Sequence, residues 1–478
     1  MEILPSPAGD ILWVGSNRDY LYAPAVTIGE KFGFSEEEVL AFFGGDLVPP
    51  FYVGDYPDSR GRIFRCNVDD ADSWETAYIS PVEFPEGEGD PVPRYRGFRA
   101  MRTFTDSGGE TALYVATHGS QKFPSQVLKF GQEYERGMDP EVCADFPGAI
   151  SVRNLVVHGG ALYAASFGNG GCMLWASDDP AIGNWTLVAD ASDFPLGGEV
   201  PEEYPRDIPS IVSFAGSLYV FIAVANMPPG FYPEFPLGVQ GGFWVYRSDD
   251  PAVGNWEETM RYGAGNHWNE VVSNAAVFDD HVYVGTALSL VQHLTRMHKM
   301  DDFGKELLYW LYLTLNWKGT DVLRFDADDN WELVIGNPEE NSLFDDRIGD
   351  YGEGFDNSSN TYSWWMDVFD EKLLVGTYDS SLLQQLMNFF GARLETDMGA
   401  ENPRARAGEG RGIGQENPQG GDLWATVNGA HWFALTLNGF DDEHNYGFRS
   451  LISTDTDLFV GTANPFYGTE IWKLSLDR

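Results

Sequence analysis

Along this chain, short stretches alternate between apolar and polar positions in the period of a half-buried β-strand, and each stretch is closed by a polar or glycine-rich turn. The template is the last one: an apolar strand over 448–453, a polar turn at 454–457, a second strand over 458–463, a loop, and a third strand over 469–474. A ribbon that short cannot bury both of its faces and has to pack against copies of itself. The copies are present. Second strands align at 112–117, 161–164, 217–220, 281–286, 372–377 and 457–462, with a degenerate seventh at 20–26 or, as the rival placement, 51–54. Third strands align at 62–66, 127–130, 173–177, 243–248, 321–325, 422–426 and 469–474.

This pattern predicts an all-β fold: a single β-propeller of about seven four-stranded blades over residues 1–478, with helical insertions on one face. The last blade runs out of chain after its third strand, so residues 2–4 are expected to supply the fourth strand and close the ring. The turns between first and second strands have nearly constant length. Length varies instead after second strands and between blades, most of all in the inserts 28–60, 288–320 and 379–421. Those two loop classes leave an up-and-down blade on one face, which makes that face the expected binding face. Helical signals lie in the inserts, at Ser35 with the acidic run Glu36, Glu37 and Glu38, in the apolar segment 288–315, and over 380–390.

Two turns, Ser177-Asp178-Asp179-Pro180-Ala181-Ile182-Gly183-Asn184-Trp185 and Ser248-Asp249-Asp250-Pro251-Ala252-Val253-Gly254-Asn255-Trp256, differ at one position. They resemble the Asp-box turn, S-x-D-x-G-x-x-W, of sialidase-type and related propellers. Gly183 and Gly254 stand one residue further from the aspartate than in that pattern, and the Thr426 to Trp432 turn is one residue short. The resemblance implies a structural turn remote from any active site. Sialidases also hold a substrate carboxylate with clustered arginines, but their aromatic-Arg-Ile-Pro string is absent; Gly97-Phe98-Arg99-Ala100-Met101 is nearest.

Counting back five residues from the end of each first strand gives Arg99, Arg153, Pro209, Ser273, Trp364 and Arg449. Three arginines therefore share one register position, expected at the mouth of the binding face. Guanidinium is a natural partner for carboxylate or phosphate through its paired N–H donors. The competing account is that these arginines pair with acids such as Asp207, Asp367 or Glu443. Arg393, Arg404, Arg406 and Arg411 form a possible second basic island within insert 379–421.

Composition narrows the partners. With 73 acidic against 30 basic residues and a net charge of -43, the surface repels polyanions, which argues against nucleic acid. The longest notable apolar run, 307–315, is too short to span a bilayer. The absence of a basic flank and apolar core at the N-terminus predicts a cytoplasmic location. Cys66, Cys143 and Cys172 are far apart and predict neither disulfides nor a metal site. His267, His293, His298 and His444 have no metal-ligand spacing, the Asp326 to Asn330 run reads as a turn, and no cofactor is indicated.

The expected function is thus a ligand-binding propeller holding an anionic small molecule, such as a carboxylated sugar, through Arg99, Arg153 and Arg449, with Trp364 and Trp365 as the stacking surface. Two alternatives stand beside it: a scaffold that docks proteins through its helical inserts, and a sialidase-like hydrolase or lyase. The sequence leaves catalytic residues and the presence of catalysis open.

Overall fold

The first-to-second-strand turns are tight because two consecutive residues adopt positive φ, the geometry that matches the twist of a β-hairpin. Gly159 and Gly160, Ala215 and Gly216, Asp279 and Asp280, and Asp370 and Glu371 all do so, with φ between 47° and 88°. In this computed structural model the described residues are 1–7, 9–16, 60–84, 91–119, 122–168, 171–197, 204–232, 234–289, 303–385, 420–464 and 468–476, with a few short pieces between them. The chain divides into two compact units, one holding Pro50–Ala275 with the N-terminal strands, the other Ala276–Arg478.

In the first unit, strand Glu2–Leu4 pairs antiparallel with Ile11–Gly15, followed in the same sheet by Arg62–Asn67 and Glu75–Ile79. Ile11–Gly15 was not among the expected strands, although its Leu-Trp-Val-Gly string matches the other second strands. The candidate 20–26 lies outside the described residues. An eight-stranded sheet then runs from Gly97–Thr105 to Thr186–Asp190, with seven strands on one curled path. A further four-stranded sheet begins at Asp207–Phe214. The second unit is dominated by an eleven-stranded sheet that ends at Ile471–Ser475.

The architecture is therefore mostly β, but the expectation of a single propeller of about seven four-stranded blades with helical insertions on one face is corrected. The strands do not separate into seven four-stranded sheets. Neighbouring ribbons are joined by backbone pairing, His118 with Ser151, Ala287 with Tyr362, and Tyr378 with Gly447, which fuses them into the larger sheets. Nor, among the described residues, is there a set of helical insertions. Among the described residues the longest continuous helix is Phe303–Leu315, and the inserts 28–60 and 379–421 lie largely outside the described residues.

Close approach of the ribbons explains the recurring Val-Gly, followed by threonine at 286, 377 and 462 and by Ser16 in the first copy. A Cβ on Gly376 would sit 2.6 Å from Phe448 Cβ, one on Gly285 2.6 Å from Ser363 Cβ, and one on Gly15 2.8 Å from Phe98 Cβ. Only glycine admits the next strand there. The threonine that follows clamps the third strand: Asp321, Asp422 and Glu470 each donate their backbone N–H to the hydroxyl of Thr286, Thr377 and Thr462, at 2.9, 2.8 and 3.0 Å.

The tryptophan turns are built alike. Ser177 and Ser248 accept the N–H of Asp179 and Asp250, both at 3.2 Å, and Gly183, Gly254 and Gly429 are left-handed. Trp185, Trp256 and Trp432 then set their rings edge-on against Phe146, Phe194 and Phe355, at 5.5, 5.2 and 5.4 Å. These aromatic pairs cover the ends of the cores.

Candidate functional site

Strand register explains why the positions singled out by counting are special. Opposite Ala116 and Thr117 stand Ala100 and Phe98, so Arg99 is an extra residue that the strand register skips. Arg153 is skipped between Val152 and Asn154, Trp364 between Ser363 and Trp365, and Arg449 between Phe448 and Ser450. In Asp207–Phe214 the register slips across Ile208 and Pro209. Each of these is a β-bulge, which bends the strand and re-aims the bulged side chain. The residue before the bulge, Phe98, Ser363 or Phe448, is the one packed on the glycine of a Val-Gly pair, Gly15, Gly285 or Gly376.

A repeated turn positions the bulges. Asn269, Asn360 and Asn445 each donate their side-chain amide back to the carbonyl of Gly263, Gly354 and Gly439, at 3.1, 2.9 and 2.9 Å. Each asparagine carbonyl also accepts a backbone N–H from next to a third strand, from Phe243, Thr320 and Gly421, at 2.6, 2.7 and 2.7 Å. Four residues beyond each asparagine stand Ser273, Trp364 and Arg449. The recurring Gly-x-x-x-x-x-Asn was legible in the sequence but unrecognised there.

In the first unit, Arg99 and Arg153 are brought to one place, around a buried carboxylate. Arg153 Nη2 lies 2.8 Å from Asp207 Oδ2, so the account in which inner-strand arginines pair with acids holds for Arg153. Burial pushes the Asp207 carboxyl above its ordinary range, against the pull of Arg153 and Arg99. His118 completes the group. Its imidazole is pushed down to about 3, first by burial and then by Arg99, Arg153 and Arg96, so it is neutral at physiological pH.

In the second unit, the Arg449 guanidinium stands 5.0 Å from the centroid of Trp364 and 6.0 Å from that of Trp365. Trp365 is tied into the sheet, its indole N–H donating to Leu451 O at 3.1 Å. Trp364 instead belongs to a half-buried aromatic group that counting did not find. It meets Tyr378 edge-on at 5.0 Å and Tyr446 at 5.9 Å, Tyr378 meets Tyr446 at 5.4 Å, and Tyr362 stacks on Tyr378 at 5.0 Å. The signal was weak: Tyr362 and Trp364 are two apart on one strand, whereas Tyr378 and Tyr446 reach them only through register. Arg393, Arg404, Arg406 and Arg411 lie outside the described residues. Among the described residues no three His, Cys, Asp or Glu side chains are grouped to hold a metal ion, and no helix is long and apolar enough to cross a membrane.

No protein-family model matches the sequence, and no curated protein does. Solved structures with distant likeness include the GH74 enzyme of Niastella koreensis, with TM-score 0.39 and 12% identity over 87% of this chain. The chain spans about half of that enzyme, 52%. A Dos1 propeller has TM-score 0.41 and 9% identity, covering 89% of this chain and 88% of its own. An α-L-arabinanase of Penicillium chrysogenum has TM-score 0.36 and 10% identity, covering 84% and 99%. The distant resemblance thus includes carbohydrate-active enzymes and is not specific to an Asp-box or sialidase family. At these scores it carries no argument about activity.

Proposed function

We propose that this protein binds an anionic small molecule of the carboxylated-sugar class on the aromatic platform of its second unit. The observation that carries the reading is the placement of two neighbouring bulge residues, Trp364 and Arg449, with the guanidinium over the indole. An indole face offers an apolar plane for the C–H face of a sugar ring, a guanidinium matches a carboxylate, and the hydroxyls of Tyr362, Tyr378 and Tyr446 suit sugar hydroxyls. Trp365 supports the platform from the sheet. Arg99 and Arg153 are proposed as a second anion-binding place, in the first unit, weakened at Arg153 by its ion pair with Asp207.

The test is calorimetric titration with glucuronate and with glucose. Wild type is expected to bind glucuronate in preference to glucose. Arg449→Ala should weaken glucuronate about tenfold or more, in line with the ~1.5–3 kcal/mol of a hydrogen bond to a charged group, and leave glucose unchanged. Trp364→Ala should weaken both. Equal affinity of wild type and Arg449→Ala for glucuronate refutes the reading.

A second reading, a hydrolase or lyase, is favoured by Asp207: a buried carboxylate with a raised pKa, held 2.8 Å from the Arg153 guanidinium, is the kind of group that active sites use. Turnover of a glucuronide that Asp207→Asn abolishes would select it. A scaffold role was to rest on helical inserts, and among the described residues of those inserts only Phe303–Leu315 forms a long helix.

A further inference from the structure

Strand Lys372–Asp379 ends, and strand Leu423–Thr426 is preceded, by a buried aspartate. Asp379 and Asp422 are each 2% exposed. Asp422 is tied to Thr377, two residues before Asp379: Thr377 N–H donates to Asp422 O at 2.9 Å, and Asp422 N–H to the Thr377 hydroxyl at 2.8 Å. Asn360 donates to Asp422 Oδ2 at 2.6 Å and Ser381 N–H to Asp379 Oδ1 at 2.7 Å, whereas Asp422 Oδ1 and Asp379 Oδ2 are buried with no hydrogen bond of good geometry. The groups acting on Asp422 are Asn360, Asn357, Trp424 and Asp379; those acting on Asp379 are Ser381 and Asn357. Among the described residues no cation acts on either carboxylate. Two buried carboxylates without a counter-ion cannot both stay ionised at low cost, and a proton on one relieves the pair.

The pair adjoins the platform. Asp379 follows Tyr378 directly, and its N–H donates to Tyr446 O at 2.7 Å. We propose that Asp379 and Asp422 form a shared-proton site, and that its protonation sets the arrangement of Tyr378, Tyr446 and Trp364. The consequence for ligand binding, that glucuronate affinity follows the same proton, rests on the function proposed above. Asp379 and Asp422 are positioning residues in this account, acting through the two tyrosines.

Burial pushes Asp422 up to about 7 and Asp379 up to about 6, and Asp379 raises Asp422 further. Between the ordinary carboxylate range and these values the folded protein holds a proton that the unfolded chain has released. The stability from the pair is therefore present at low pH, falls as pH rises through this window, and is lost above it.

The experiment uses ligand-free protein. Infrared absorption of a protonated carboxyl is followed from about pH 5 to about pH 9, bracketing the values of about 6 and about 7. Near-ultraviolet circular dichroism of the aromatic residues is recorded over the same range. Wild type is expected to lose a carboxyl band and change its aromatic signal with one midpoint. Asp422→Asn is expected to lose both transitions, and Asp379→Asn serves should the first variant fail to fold. Identical infrared titrations in wild type and variants, or an aromatic signal indifferent to pH, overturn the proposal. Failure to bind glucuronate at every pH, with both transitions intact, sinks the functional reading and leaves the proton site supported.

Discussion

A single methyl group distinguishes glycine from alanine, and at Gly376 that methyl has no room. Its Cβ would meet Phe448 Cβ at 2.6 Å and Phe448 O at 3.2 Å. Backbone on one side and the root of a side chain on the other leave nothing flexible to yield. Gly376→Ala is expected to destabilise the second unit by about 1–3 kcal/mol, the usual cost of overpacking, as measured by denaturant unfolding; an unchanged midpoint would contradict the packing argument. Arg449 makes the complementary case. Its charge was legible in the sequence and its register position countable, but the indole beneath it, 5.0 Å away, comes from a different strand.

Among elements, the turn from glycine to asparagine matters most, because it sets where each first strand begins and hence which residue is bulged. Asn445 is fully buried, and its amide serves two acceptors, Gly439 O and Glu470 Oε2, both at 2.9 Å. Asn445→Ala leaves both without this donor. The expected cost is about 1–3 kcal/mol, read by thermal unfolding, with loss of the aromatic signal of the platform four residues on. Asn445→Asp should be no better, since it sets a second carboxylate beside Glu470. Only the glycine and the asparagine are common to all three copies of the turn, and alternation alone did not reveal them. Their left-handed backbone at Phe440 and Asp441, with φ of 61° and 64°, breaks the periodicity on which strand recognition depends.

For the molecule as a whole, the dominant sequence property is charge. At -43, self-repulsion opposes the folded state, and it weakens as the screening length falls from ~30 Å at 0.01 M salt to ~3 Å at 1 M. The melting temperature is expected to rise with sodium chloride over that range; a fall, or no change, would mean that the acids are compensated locally. Local compensation does occur. Arg65 with Glu75, Arg153 with Asp207, and Arg324 with Glu332 are paired at 2.6, 2.8 and 2.6 Å, although 30 basic residues cannot neutralise 73 acids.

The sequence by itself determined most of the strands, though not Ile11–Gly15, together with the hairpin turns, the tryptophan turns and the register position that holds Arg99, Arg153, Trp364 and Arg449. These are local properties: alternation, turn chemistry and spacing act over a few residues, and a chain carries them whatever its neighbours do. Only the tertiary structure decided that ribbons would join into sheets of eight and eleven strands. The same holds for Tyr362, Tyr378 and Tyr446 gathering around Trp364, and for Asp379 and Asp422 being buried together. Such meetings depend on pairing register between segments up to 84 residues apart, as from Tyr362 to Tyr446, and on the depth to which each end is buried. Neither quantity is written in any short stretch of chain.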